Sequence, residues 1–589
     1  MSALAQNATA IRQLNESCGP VDFPSQAFYI IGSKLLCSPQ TQDVMQAHKP
    51  ISDGHSWYAE PMAPVPERPR LTFDLDVDVC VIGGGLAGLT VAREVARRGW
   101  SVALLEAQTV ASGASRRNVG FVLPGFLETI DRIIERVGMD QAKELWTLSE
   151  RGVEYVRETI RDTNMPGVTP ADGWLQVAKF RHDPALNKTA TLLSEQFGAQ
   201  VESWSAEQVG AVLKSPLYRN GMHFPRAFTV HPVNYVQGLA AAAEQAGVRI
   251  FEHTPALSLD PAGIRKRIGT PSARVRAAQV VLAGNTGLEG LMPRLAASLL
   301  PVTSYVVTTV PLGDKLREAV TYQGGVSDTD FMDNHYRITG GDRLVCSGGL
   351  TTWQSDPKRF VRRLARDIRR AFPQLGRVAI DHVWSGTTGS PVHKMPQIGE
   401  IAPGVWVSNG YGGQGYNTSA VAGELIAAGI VEGDESWRAF SSYDLVWAGG
   451  KTGRSAMQVY YWSCRFRDRF DAVFNNALDA PEEAVPFIEA ASLSAGDAMP
   501  VAPAVEPIAE SVVVPVPEPL AAAPAEQKPG NRRPPRKPSV PKAAKSPAKR
   551  ASGPKKPRSG SMKEPDKDAS IVPEADVPPA RSGRIPAGS

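Results

Sequence analysis

Five cysteines are all this 589-residue chain carries, and no two of them form a C-x-x-C pair. Cys18, Cys37, Cys80, Cys346 and Cys464 lie far apart, which argues against a disulfide framework or a structural zinc site and suits a reducing compartment. No run of about 18 apolar residues exists, so no membrane span is expected. The longest candidate, 420–431, is short and carries Glu424. The first residues lack the basic-then-apolar pattern of a secretory signal. Together these absences point to the cytoplasm. A net charge of +4 gives no dominant field, although the basic residues are unevenly spread. No Ser-His-Asp or Cys-His constellation is visible, and no metal site is expected.

A chain this long is expected to fold as two or more domains. Its organising stretch is 76–106, DVDVCVIGGGLAGLTVAREVARRGWSVALLE. Val77, Val79, Val81 and Ile82 predict a buried parallel strand. Gly83, Gly85 and Gly88 follow in G-x-G-x-x-G spacing, and Leu86, Leu89, Ala92 and Val95 then recur at helical spacing up to Gly99. A second strand, 101–105, ends on Glu106, 23 positions after Gly83 (106 minus 83). Each part has a physical job. Gly83 allows the tight turn, Gly85 the approach of a pyrophosphate, and Gly88 close helix–strand packing. The helix start offers free N–H groups to phosphate, and Glu106 can accept from a ribose diol. Placed between strand and helix, with an acid on the next strand, this pattern predicts dinucleotide binding.

The loop 111–126, ASGASRRNVGFVLPGF, is too polar for core; its small residues let backbone lie against a flat ligand, and Arg116, Arg117 and Asn118 can hydrogen-bond to it. Residues 127–162 predict two amphipathic helices, 173–178 a strand, 231–259 a helix then a strand, and 277–288 a buried strand ending in a Gly-Asn-Thr-Gly turn. Strands follow at 302–310 and 335–350, with turn chemistry at 340–342, and then a basic amphipathic helix over 359–371. The segment 389–431 holds a second strand–Gly-loop–helix unit, with VWVSNG as strand, Gly412, Gly413 and Gly415 as turn, and a helix from Ser419. A second helix start aimed at a ligand suits a cofactor that holds negative charge. The segment 442–472 ends as an aromatic, basic helix suited to packing on a domain, touching a membrane surface or making an oligomer contact.

In SWYA (56–59), DVCVIGGGLAGLTVA (78–92), SGASRRNVG (112–120), VVLAGNTG (280–287), HYRIT (335–339), MPQIG (395–399) and NGYGGQG (409–415), the chain resembles the D-amino-acid-oxidase-like FAD-dependent oxidoreductases. Within them it is most similar to the γ-glutamylputrescine oxidase-like amine oxidases. The resemblance implies an α/β chain: a discontinuous Rossmann-like FAD-binding domain (56–130, 225–300 and 375–450) and an α+β substrate domain built on an antiparallel sheet (131–224 and 301–374). A C-terminal helical segment (451–490) and a disordered Pro/Ala/Lys-rich basic tail (491–589) follow, and 1–55 is an N-terminal extension. The implied cofactor is FAD, and the implied reaction is C–N oxidation of a small amine, with oxygen or another electron acceptor.

Carried over position by position, Gly83, Gly85, Leu86, Ala87 and Gly88 hold the pyrophosphate, and Glu106 with Ala107 the ribose. Ser112, Gly113, Ser115, Arg117, Asn118, Gly120 and Gly284 lie near phosphates and ring, and Gly413, Gln414 and Gly415 at the pyrimidine edge. Catalytic candidates are Tyr336, Arg337, His393 and Lys394, with His393 a candidate base from its place before MPQIG. Amino-acid-oxidising relatives place an Arg near the position of Thr388, so an amine without an α-carboxylate is favoured; Arg337 keeps sarcosine or D-amino acids open. Relatives that attach flavin to Cys have Ser385 at the aligned position, which predicts non-covalent FAD. Those with a Lys after the Gly-x-Gly turn have Asn417 here, which leaves the electron acceptor open. Two readings from other classes stand beside this one: an NAD(P)-dependent Rossmann enzyme, and a polyanion-binding protein acting through the basic tail, whose contacts would be weak and non-specific.

Overall fold

The computed structural model describes residues 56–59, 63–179, 184–329 and 334–478. The chain divides into two compact units, Met1–Ile488 and Glu489–Ser589, and every described residue lies in the first. The expectations for 1–55 and 491–589 lie outside the described residues.

The strand Leu75–Ile82 is the spine of an eight-stranded sheet. It pairs in parallel with Arg274–Leu282 on one side and Val102–Leu105 on the other. The order runs Gln397–Ala402, Val405–Asn409, Arg274–Leu282, Leu75–Ile82, Val102–Leu105, Arg249–Phe251. Burial along the spine follows the sequence. Exposed Asp76 and half-buried Asp78 alternate with buried Leu75 and Val77, and from Val79 to Ile82 every side chain is buried. A strand so buried on both faces must be covered on both, as parallel sheets are. Each Val or Ile sunk there contributes on the order of 1.5–3 kcal/mol.

The helix Leu86–Arg97 leaves the spine through the glycine turn, and Gly415–Glu432 packs against it. Contact is close because one partner lacks a side chain: a Cβ on Gly423 would lie 2.5 Å from Thr90 Cγ2. The long helix Met139–Thr163 closes on Gly415–Glu432 in the same way, with Gly152 against the Asn417 carbonyl. Buried Glu94 ties the three helices together. Its carboxylate accepts from the Tyr155 hydroxyl (2.6 Å), Arg93 (3.2 Å), Arg97 (3.1 Å) and Arg98 (3.0 Å), and Arg98 reaches Glu432. Burial alone would raise its pKa, but the Tyr155 and arginine contacts outweigh it and hold Glu94 below the usual carboxylate range. The helix Gly415–Glu432 starts four residues before the Ser419 expected from sequence, so Gln414 is its N-cap.

The second sheet has nine strands, in the order Ile380–Pro391, Leu299–Thr309, Arg343–Thr351, His335–Thr339, Gly325–Asp328, Ala171–Val177, Gly221–Thr229, Phe121–Val122, with Glu202–Trp204 beside Gly221–Thr229. Nearly all its pairings are antiparallel. Gly325–Asp328 against Ala171–Val177 is parallel. Two boundaries drawn from sequence shift here. Ile380–Pro391, placed with 375–450, pairs along its whole length with Leu299–Thr309 in this sheet. Phe121–Val122, placed with 56–130, pairs with Gly221–Thr229. The sequence predicts a loop over 111–126, none of its predicted strands covers 380–391, and nothing local says which sheet a strand joins. Among the described residues no helix is long and apolar enough to cross a membrane, and no three His, Cys, Asp or Glu cluster as a metal site.

Candidate active site

A single cavity of about 2120 Å³ runs from the glycine turn at Gly83 to the inner face of the nine-stranded sheet. This exceeds the roughly 300–1,000 Å³ of an ordinary ligand pocket, so it has room for a large cofactor and a substrate together. All the cofactor candidates read from sequence line it except Gly88, Arg116 and Gly120.

At the first end, Gly83 has φ +115°, and a Cβ there would lie 2.6 Å from the Ala283 carbonyl oxygen. Gly88 faces the Gly83 carbonyl, and any side chain would overlap it. Gly88 is therefore the packing glycine, behind the cavity wall. The helix that follows has Gly85 as N-cap, no side-chain cap and no acid in its first turn. Its Leu86 N–H is held by Ser115 Oγ at 3.1 Å. Glu106 stands beside the turn, where Oε2 accepts from Gly84 N at 2.7 Å and Oε1 from Gln108 N at 2.9 Å.

At the second end, the helix Gly415–Glu432 likewise lacks a side-chain cap and an acid in its first turn. Gly412, Gly413, Gln414 and Gly415 all line the cavity there. Two helix starts whose own N-cap residues make no side-chain cap thus open on one space, each a site for negative charge. A flat, doubly phosphorylated dinucleotide fits this cradle. Its glycine walls admit backbone contact, its helix starts suit the diphosphate and an anionic ring, and Glu106 suits a ribose diol.

The connecting wall is pinned by side chains the sequence presented as ligands. Asn118 donates to the Ala114 and Ser115 carbonyls and accepts from Gly120 N and the Tyr416 hydroxyl, so its hydrogen bonds hold the loop. Arg117 lines the cavity with its guanidinium on the Ser385 carbonyl at 3.3 Å. Gly120 sits against the Val230 carbonyl with φ +83°, a crossing point between strands rather than a ring contact. Asn285, from the Gly-Asn-Thr-Gly turn, bonds the Thr387 carbonyl (2.9 Å) and Gly389 N (2.7 Å) and so ties the two sheets together.

Of the four catalytic candidates, only Lys394 lines the cavity. It is half-exposed, and its Nζ lies 3.9 Å from Glu128. Tyr336 points to the opposite face of its strand, stacked on Tyr218 and edge-on to Phe372. Arg337 is buried, with Nε donating to the Val119 carbonyl (2.6 Å) and Nη2 to that of Val230 (3.1 Å). His393 spends both ring nitrogens on backbone: Nε2 donates to the Asp444 carbonyl at 3.2 Å, and Nδ1 accepts from Met395 N at 3.1 Å. Burial drives its pKa down to about 4. None of these three lines the cavity, and both His393 ring nitrogens are taken by backbone.

The residue that HYRIT does place in the cavity is His335. Its Nδ1 lies 2.7 Å from Ser327 Oγ, which also accepts from Trp174 Nε1 at 2.8 Å. Trp174 stacks on Phe224, ring centroids 5.0 Å apart, and both line the same wall. Burial pushes His335 down to about 4, so it is neutral at pH 7, with Asp328 opposing the shift. Period-two alternation was the available signal: His335 and Arg337 share a face and Tyr336 does not. The segment 446–461 forms the last wall, with Trp447, Thr452 and Tyr460 at the cavity.

The family described as "DAO: FAD dependent oxidoreductase" matches residues 78–428. γ-Glutamylputrescine oxidoreductase of Escherichia coli is 31% identical over 423 residues, covering 70% of this chain and 98% of that protein. A probable oxidoreductase OrdL of Haemophilus influenzae is 30% identical over 375 residues, 62% of this chain and 86% of its own length. Among solved structures, glycine oxidase from Geobacillus kaustophilus superposes with a TM-score of 0.52 at 21% identity, over 61% of this chain and 96% of its own. L-Proline dehydrogenase from P. horikoshii gives 0.53 at 18% identity, over 63% and 97%. At these identities the structural matches show the shared fold.

Proposed function

The chain belongs to the DAO family of FAD-dependent oxidoreductases, and from that premise we propose that it oxidises the C–N bond of a primary or secondary amine without an α-carboxylate, of the γ-glutamylputrescine or polyamine kind. Held in the cradle without a covalent link, FAD would supply a two-electron acceptor for oxidation of the C–N bond, with oxygen or another acceptor as the final oxidant and water hydrolysing the released imine.

The chain's own groups do the rest. The backbone at Gly83–Ala87 would meet the diphosphate, Glu106 the ribose, and the amides opening at Gln414 and Gly415 would stabilise negative charge on the ring. The wall of Trp174, Phe224 and neutral His335 excludes water around the reacting end. An amine in such surroundings is favoured in its uncharged form, the form that can release hydride. Indole N–H, serine hydroxyl and imidazole hold one another in place, so the wall keeps its shape without help from a ligand.

The observation that carries the substrate reading is the charge lining the cavity. Its acids are Glu106, Glu128 and Asp131, and its bases Arg117 and Lys394. Arg337, the residue that kept α-amino acids open, is engaged elsewhere, and Thr388 lines the wall where amino-acid-oxidising relatives carry an Arg. Glu128 and Asp131 suit the far ammonium of a long amine. We place turnover in the cytoplasm, consistent with buried Cys80, Cys346 and Cys464 forming no disulfide among the described residues. A panel of polyamines, γ-glutamylated amines, sarcosine and D-amino acids, scored by anaerobic bleaching of flavin absorbance, tests the reading. Faster bleaching by sarcosine or a D-amino acid than by every amine lacking an α-carboxylate overturns it.

A further inference from the structure

Eleven large apolar side chains are exposed among the described residues, and six of them gather in one region: Trp353, Val446, Trp447, Val459, Trp462 and Phe466. Three lie on the 29-residue helix Gly450–Leu478 and two on the loop that enters it. Trp353 lies under the guanidinium of that helix's Arg454, 5.1 Å from the ring centroid. Val459, Trp462 and Phe466 stand at i, i+3 and i+7, which makes one stripe along the helix. They are 59%, 61% and 72% exposed.

The helix is fastened on its other side. Gln458, Tyr461 and Cys464 are buried, Gln458 Oε1 accepts from Thr352 N at 2.9 Å, and Arg454 donates to the Thr352 carbonyl. Its orientation is therefore set, and the aromatic stripe faces outward by construction. From 450 to 478 the sequence has Lys451, Arg454, Arg465, Arg467 and Arg469 against Asp468 and Asp471. Farther along, 528–563 holds thirteen Lys and Arg and no acid.

We propose that the outer face of this helix over 450–467 docks on an anionic lipid surface. Tryptophan and phenylalanine beside cations are the side chains that settle at headgroup depth, with the helix lying in the plane of the interface. An apolar stripe joined to a polybasic segment supplies the two signals that stable peripheral attachment takes. The charge selects this partner over a second copy of the chain, since two such faces would bring like charges together. Trp447 belongs both to this face and to the cavity wall, so attachment sets the cavity beside the bilayer.

The test is co-sedimentation of the full-length, flavin-loaded protein with vesicles of phosphatidylcholine alone or with phosphatidylglycerol added. The expected result is binding to the anionic vesicles that weakens with salt. Trp462→Ser with Phe466→Ser should lower that binding at least tenfold while flavin content and amine turnover stay unchanged, since neither residue lines the cavity. Truncation after residue 490 should weaken binding and leave the remainder sensitive to the double substitution. Three results overturn the proposal: no binding to anionic vesicles, equal binding by the double variant (the tail alone would then suffice), or a double variant that turns a dimer into a monomer without changing vesicle binding.

Discussion

Glu128 and Asp131 stand in the cavity wall, and Lys394 Nζ lies 3.9 Å from the Glu128 carboxylate. A pair at that separation, with its lysine half-exposed, contributes little to stability. Its removal is expected to show in substrate binding. Glu128→Gln should raise KM for a diamine or polyamine several-fold while kcat and melting temperature barely change. Equal KM values for wild type and variant would remove Glu128 from substrate recognition. His335 makes a second residue-scale prediction. His335→Ala removes the imidazole from Ser327 Oγ and opens the wall beside Trp174, so amine turnover should fall about tenfold or more with flavin still bound. Turnover within twofold of wild type would show that the wall works without it. How much was legible here depended on the residue. Glu106 and the glycines follow from motif spacing. His335 was hidden in HYRIT because alternation divides a strand into two faces without saying which one meets the ligand. His393 looked catalytic because a histidine in a loop before a motif carries no sign that backbone occupies both its nitrogens.

At the scale of elements, the strand–turn–helix unit at 75–97 was fully readable, because buried β-branched residues, glycine spacing and helical periodicity agree over one short stretch. The start of Gly415–Glu432 was not. Gly415, Asn417 and Thr418 are weak helix formers, and packing against Leu86–Arg97 and Met139–Thr163 overrides their preference. The edge strand Ile380–Pro391 was credited to the wrong sheet for a related reason: pairing partners are distant in sequence, and Leu299–Thr309 lies some 80 residues earlier. The tight helix contacts make the element-scale prediction. Gly152→Ala places a methyl on the Asn417 carbonyl and should cost about 1–3 kcal/mol by overpacking. Because that contact sits behind the helix opening at Gln414, the variant should also bind FAD more weakly. Denaturant unfolding together with a flavin titration checks both, and a neutral substitution in both would mean the helices part freely.

At the scale of the whole molecule, three histidines among the described residues, His393 buried and His231 and His335 partly buried, set an acid limit. His231, His335 and His393 are each held down to about 4, in every case first by burial. In the unfolded chain they take up protons near pH 6.5, whereas the folded protein resists until about pH 4. Their neutral forms therefore stabilise the fold fully above about pH 6.5, and that stability is lost as pH falls toward 4, by up to roughly 3 kcal/mol for each. The raised carboxyls of Glu150, Asp367 and Glu424 act in the opposite sense over part of this range. A melting temperature that falls steadily from pH 7 to pH 4.5 is expected, and a flat one would mean that water reaches these imidazoles. The same burial that lowers the histidines shapes the cavity between the two sheets, and the central claim is what that cavity holds. The most direct measurement is the visible spectrum of the purified protein before and after anaerobic addition of a γ-glutamylated amine. The account predicts yellow protein whose flavin bands fade on mixing, with free FAD released on denaturation. Colourless, folded protein that takes up no added FAD would contradict it.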